Sequence, residues 1–439
     1  MASTTASSAA APASAPQPTP TPAAGQTRQG AAISVDLWYG WAGATAIATW
    51  QALGKQMGDA LPGFNVRWIT ADNNVKLLTA IAGGSPPDAA VGNSPYNEFW
   101  ARGAATQIDD MIGKSKVINR TDIPDAYWPS AMYKGKTYGV PAVESFVAYA
   151  LCLDMTNLQK QNIDPKTLSW DWDTLTQLQQ QLTQKASNGS VSVLGIDPLD
   201  AVSGGYTYWS QAWGFQAYDD QARKHNFAND QFVEALNIIK KLEDIAGGAQ
   251  AIAGFHTSYG TWTESPTAMM PSGVEDMNVN GYWAPGELAH SAPNRQFAYT
   301  WAPVPASKKG FKFQEAAGHK AFLPRGVKHP AEGFQVIEYL VNDAAEQTIL
   351  DNTGWILARR PFIAKLDVNK YPGLDFYVNS FTTQDKLYSS PPDPIDGFVS
   401  TQWSKAVQDV IYGKAQPMAA LQQLQQQVTD ELKQRFPNG

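Results

Sequence analysis

Between Ile33 and Arg102 the chain alternates strand and helix patterns, and this alternation limits the possible fold more than any other feature. Ile33-Ser-Val-Asp-Leu-Trp38 alternates apolar and polar residues as a half-buried strand does. Gly40–Gly43 is a turn, and Ile47, Trp50, Leu53, Met57 and Leu61 then recur at helical spacing until Pro62-Gly63. Phe64–Thr70 is a second strand, Val75–Ala82 a helix stopped by Gly83-Gly84, and Asp88–Val91 a short buried strand followed by a helical stretch to Arg102. Such a βαβαβ run demands a mostly parallel sheet covered by helices, with ligands bound beyond the carboxyl ends of the strands. That rule points to Tyr39–Gly43 and Gly92–Tyr96. At 439 residues the chain is too long for one small core and calls for two lobes or domains.

The second informative stretch is Tyr133–Asp154, where a hairpin runs into a long apolar strand, Val140–Leu153. One carboxylate, Glu144, lies inside that strand, with no Lys or Arg between Lys136 and Lys160. A buried carboxylate without a partner is costly. Glu144 therefore points to solvent, pairs with a distant residue, or meets a ligand that donates hydrogen bonds. Cys152, the only cysteine, falls in the same apolar strand and reads as an inert core thiol. Further helices follow, with Asp171 a candidate N-cap for one and Asn229 or Asp230 for another.

Composition excludes several classes of function. A net charge of −7 without a dense Lys/Arg cluster argues against nucleic acid. No apolar run reaches the roughly 20 residues of a membrane span. A single cysteine builds no disulfide and no Cys-based metal site, and the five His show no HExxH spacing, so no metal or cofactor is expected. GxSxG is absent, and Gly113-Lys-Ser and Gly135-Lys-Thr lack the earlier glycine of a P-loop. Met1–Gly30 has neither the basic nor the apolar region of a signal peptide; residues 1–32, rich in Ala, Ser, Thr and Pro, read as a disordered tether.

Lys134-Gly-Lys-Thr-Tyr-Gly-Val-Pro141, followed by Val143-Glu144, resembles the solute-binding proteins of ABC importers, of the sugar-binding type that includes the maltodextrin-binding proteins. Ala80–Asp88 (AIAGGSPPD), Met277–Trp283 (MNVNGYW), Ala302–Pro305 (APVP), Gly318–Arg325 and Thr353–Arg360 continue the resemblance, which covers nearly everything after residue 32. It implies a periplasmic-binding-protein-like fold: two α/β lobes, each discontinuous, joined at a crossover hinge. The expected limits are 33–143 plus 303–357 for lobe one and 144–302 plus 358–439 for lobe two.

The resemblance also implies a function. It predicts a non-enzymatic extracellular receptor that binds a mono- or oligosaccharide between the lobes and docks on the transmembrane subunits of an ABC permease. The membrane would be reached only through a lipid anchor on a cysteine that this chain lacks; a periplasmic location is the other option. A pyranose stacks on Trp or Tyr, and its hydroxyls pair with carboxylates, amides and His. Glu144 is expected at the crossing, Tyr39 and Trp41 after the first strand, and Asn93 and Tyr96 after the third. Tyr206, Trp209, Trp283 and Trp403 are the expected aromatic contacts of lobe two, with His319 and Trp355 as further candidates. Tyr-Gly-Trp-Ala-Gly after the first strand departs from the small polar and charged residues of the maltodextrin-binding pattern, which puts maltodextrin itself in doubt. Alternatives are another polar solute (a polyamine, a glycerol phosphate or a peptide) on the same fold, or a glycosidase using two carboxylates.

Overall fold

The computed structural model describes residues 33–41, 43–70, 74–92 and 96–437, so the expected tether and Asn93 lie outside the described residues. Ile33–Tyr39 pairs in parallel with both Phe64–Thr70 and Ala89–Gly92, as the alternation requires. The Ala44–Ala60 helix covers this sheet with Trp50, Leu53 and Met57 buried. Its stripe is narrower than the spacing suggests, because Ile47 is 41% exposed.

The first sheet has six strands. Phe313–Phe322 lies antiparallel to Ala89–Gly92, parallel to Lys386–Ser389 and antiparallel to Gly139–Val147. A second sheet orders Phe297–Thr300, Ala150–Asp154, Glu275–Asn280, Val191–Ile196 and Gln184–Lys185. Each sheet has its own apolar core. One centres on Val35, Leu37, Phe146 and Ile337, the other on Leu151, Trp172, Leu236 and Trp403. Asp171 and Asn229 are the N-caps of the helices that follow them, accepting the N–H groups of Thr174 at 2.8 Å and Phe232 at 2.9 Å. The Tyr133–Lys136 hairpin turns through Lys134 (φ 47°) and Gly135 (φ 73°), two left-handed residues as a tight hairpin requires.

The apolar run Val140–Leu153 is two strands, not one: Gly139–Val147 belongs to the first sheet and Ala150–Asp154 to the second. Gln314 makes the break possible. Its side-chain oxygen accepts the Tyr149 N–H at 2.9 Å, and its amide donates to the Tyr149 carbonyl at 2.6 Å. A side chain thus satisfies backbone groups that a continuous ladder would pair. Cys152 follows in the second sheet, fully buried, with burial pushing its thiol pKa up.

The chain passes between the cores after Val147, between Phe313 and Ala316, and between Tyr377 and Tyr388, and Tyr282 also reaches into the first core. Phe362, Leu374 and Tyr377 pack with the first core, where the sequence reading places lobe two from 358 onward. The reason lies at the crossing: Ala358 donates to the Ser145 carbonyl at 2.8 Å, which holds the following segment against the first sheet.

Pairing between the two central strands slips at the crossing. Gly318 faces Ser145, yet Lys320 faces Pro141, so His319 alone spans Ala142, Val143 and Glu144. Val143 sits at φ 66°, an outlier for a β-branched residue. Gly318 has φ 133°, and a Cβ there would lie 2.3 Å from the Ser145 Cα and 2.4 Å from the Glu144 carbonyl. Gly318→Ala should therefore cost about 2–4 kcal/mol. A thermal midpoint equal to that of the parent chain would contradict this reading of the bulge.

Candidate ligand-binding cleft

The bulge turns Glu144 and His319 toward a cavity of ≈290 Å³ between the lobes. Larger hollows of ≈450 and ≈510 Å³ flank the Phe297–Thr300 edge strand, but no buried carboxylate lines either of them. The crossing cavity has three: Glu144, Glu287 and Glu315.

Glu144 accepts the Tyr282 hydroxyl at 3.1 Å. Its other oxygen lies 3.0 Å from Nδ1 of His319, which in turn lies 2.9 Å from the Tyr39 hydroxyl. Glu144 is 8% exposed and keeps acceptor capacity toward the cavity. Glu287 accepts the Thr263 hydroxyl at 2.6 Å and the Trp355 indole N–H at 3.0 Å. Burial still pushes its carboxyl up to about 8 against those two bonds, and the charges of Glu144 and Glu264 add to the rise. Glu315 accepts from Tyr149 at 2.5 Å, from Ser390 at 2.6 Å and from Gln211 at 3.2 Å. Burial raises its carboxyl too, although those hydrogen bonds and Lys320 pull the other way. No Lys or Arg lines the cavity among the described residues.

Aromatic rings form the remaining walls. Trp41 meets Trp262 edge-on at 5.6 Å, Trp262 lies 6.2 Å from Trp283, and Trp283 lies 5.3 Å from Tyr282. Trp355, Tyr149 and Tyr208 complete the lining. The indole nitrogen of Trp283 is buried without an acceptor among the described residues.

Of the expected contacts, the structure brings Trp41, Glu144, Trp283, His319 and Trp355 to the cavity, with Tyr39 behind His319. Four others lie elsewhere. Tyr96 stacks on Trp100 at 5.5 Å in a core of the first lobe. Tyr206 donates to Asp396 at 2.6 Å. Trp209 stacks on Trp172 at 4.7 Å and donates to the Ser203 carbonyl at 2.8 Å. Trp403 packs on Phe232 at 5.3 Å and donates to the Gly204 carbonyl at 2.9 Å. Trp209 and Trp403 thus brace from behind the Ala201–Gly205 turn, whose Ala201, Val202 and Gly205 face the cavity. Burial of their faces in the second core outweighs the motif positions that suggested stacking. Sequence reasoning missed Tyr149, Tyr208, Trp262, Tyr282, Glu287 and Glu315. Tyr208 and Tyr282 lie inside the very motifs singled out, GGYTYW and NGYW, one or two places from the residues chosen.

Residues 46–374 match the family described as bacterial extracellular solute-binding protein, and the chain belongs to that family. The family is one of extracellular solute-binding proteins. Among solved structures, the fold is similar to CpMnBP1 with mannotriose bound, at 21% identity and a TM-score of 0.80, covering 90% of this chain and 99% of that one. It is also similar to a solute-binding protein from Thermotoga lettingae with α-D-tagatose, at 19% identity and TM-score 0.76 over 91% and 99% of the two chains. The maltose/maltodextrin-binding domain MalE of Bdellovibrio bacteriovorus, bound to maltotriose, matches at 16% identity and TM-score 0.73 over 91% and 100%. No curated protein sequence matches the chain. The two-lobe periplasmic-binding-protein-like fold expected from the sequence is the fold observed.

Glu287 yields a pH test. A folded-state pKa raised to about 8 favours the protonated native state, so its contribution is full below about 4.5 and is lost as pH rises through 8. Asp200, raised to about 7, and Glu243, raised to about 8, act in the same direction. The thermal midpoint should fall between pH 6 and pH 9, and Glu287→Gln should fall less. A flat or rising profile for the parent chain would contradict the assignment.

Proposed function

We propose that the protein is the saccharide receptor of an ABC importer, binding a neutral mono- or oligosaccharide in the crossing cavity. One observation carries this reading. Glu144, an acceptor with free capacity, faces a cavity walled by Trp41, Trp262 and Trp283. Stacking on the rings and hydroxyl bonding to the acid are the two interactions a sugar needs, and a site shut off from water strengthens the second. Glu287, whose carboxyl burial pushes up to about 8, adds a second polar group to the walls. The sugars named for the structural relatives are of the same chemical class. A cavity of ≈290 Å³ holds roughly ten waters at about 30 Å³ each, which suits one or two hexose rings.

Ligand shifts the lobes further toward a closed form that the free protein already populates, and the closed form docks on the permease subunits. A lipid anchor upstream of the described residues would hold the receptor at the cell surface, and no turnover is expected. A second reading, a polyamine or another cationic solute, is favoured by the acids on the walls and the lack of Lys or Arg among the lining residues.

Thermal-shift screening against neutral saccharides, polyamines and glycerol phosphate decides between these readings. A true ligand at 100 times its Kd should stabilise the protein by about 2.7 kcal/mol. Stabilisation by a polyamine alone would replace the saccharide reading with the cationic one. Glu144→Ala and Trp283→Ala should each weaken binding at least about tenfold, or about 1.4 kcal/mol, with cooperative melting retained. Unchanged affinity in both would remove the proposed site.

A further inference from the structure

A carboxylate outside the cavity lining ties the two lobes together across the cleft. Glu264 lies in the second-lobe loop between the Ala249–His256 and Met269–Ser272 helices. One of its oxygens accepts both the N–H of Thr45 at 3.2 Å and the Thr45 hydroxyl at 2.6 Å. The other accepts the Trp41 indole N–H at 2.8 Å. Thr45 stands in the first turn of the Ala44–Ala60 helix, whose N-cap, Gly43, supplies no side-chain hydrogen bond. Glu264 therefore caps the first lobe's leading helix from the other lobe, where helix geometry favours an anion. A Cβ on Gly43 would fall 1.7 Å from the Glu264 carboxylate, so the cap seats only over a glycine.

The same loop is anchored on its own side. Gly260 pairs with Ala268, the Thr263 hydroxyl donates to Glu287 at 2.6 Å, and Ser291 donates to the Thr263 carbonyl at 2.6 Å. Two residues before Glu264, Trp262 lines the cavity while remaining 41% exposed, as a residue at its mouth would be. One short segment thus places an aromatic ring over the cavity and hooks onto the opposite lobe beside it.

We propose that the 257–268 loop is a lid on the cleft, with Trp262 as its ligand-facing ring and Glu264 as its latch. This rests on the reading of the cavity as the ligand site. Glu264 is a positioning residue: it holds the lobes together around the ligand without lining the cavity. Because the latch forms only when the lobes meet, it slows release more than it speeds capture.

The test uses two readouts on Glu264→Ala and Glu264→Gln. Cys152 is the only cysteine and is buried, so Lys55→Cys and Gln250→Cys, at exposed sites on the two lobes, can be labelled selectively for distance measurement by energy transfer. In ligand-free protein, Glu264→Ala should lengthen the distance between the labels, and Glu264→Gln should lengthen it less. Stopped-flow with the saccharide that most stabilises the parent chain should show release about tenfold faster in Glu264→Ala, with association changed less than about threefold. Circular dichroism matching the parent chain establishes that the variant is folded. An unchanged label distance, unchanged release, or a loss confined to association would each overturn the latch. If no saccharide binds the parent chain, the functional reading fails, and the ligand-free distance still decides the latch.

Discussion

The slipped pairing of Gly139–Val147 against Phe313–Phe322 is the constraint on which the rest of this structure depends. In a regular ladder, side chains alternate strictly across the sheet. Here one residue of the returning strand spans three of the crossing strand, and Val143 is driven to φ 66°. The backbone strain is matched by close fitting: Gly318 lies against Ser145, and the Ser145 hydroxyl donates to the His319 carbonyl at 3.0 Å. The outcome is that Glu144 and His319 face the gap between the lobes, on two strands that run beside the passages of the chain from one core to the other. An acid held there by Tyr282 and His319 keeps a fixed direction and open acceptor capacity.

Around that point the cleft sorts ligands by charge and shape. Its acids divide into two kinds. Glu144 offers acceptor capacity beside hydroxyl and imidazole partners, whereas Glu287 and Glu315 are desolvated and pushed toward their neutral forms. With no Lys or Arg on the walls, an anionic solute would meet the Glu144 carboxylate and no permanently charged partner. The indoles of Trp41, Trp262 and Trp283 line the cavity, and such rings suit a ligand ring with one apolar side. Shape and charge together therefore favour a neutral, ring-shaped, hydroxyl-rich molecule.

Much of this was legible in the sequence, for reasons that can be named. The βαβαβ alternation of Ile33–Val91, the caps at Asp171 and Asn229 and the left-handed turn at Lys134-Gly135 are local, so short-range periodicity and turn chemistry suffice to read them. Glu144 stood out because an acid in an apolar strand must be explained by something. Its partners, Tyr282 and His319, are 138 and 175 positions away and had no local signal. Trp209 and Trp403 illustrate the opposite failure. Their motifs were located, but which ring of a helix faces a core and which faces a cavity depends on packing with distant elements. Glu264 and Trp262, in a loop without periodicity, gave no sign in the sequence of what they touch.

The most direct measurement of the central claim is a crystal structure of the protein with the saccharide that stabilises it most. The account predicts a sugar ring lying against Trp283 or Trp262, with a hydroxyl within hydrogen-bond distance of Glu144 and the Val143 and Gly318 backbone unchanged. A sugar bound away from the crossing, with Glu144 making no contact to it, would contradict the account.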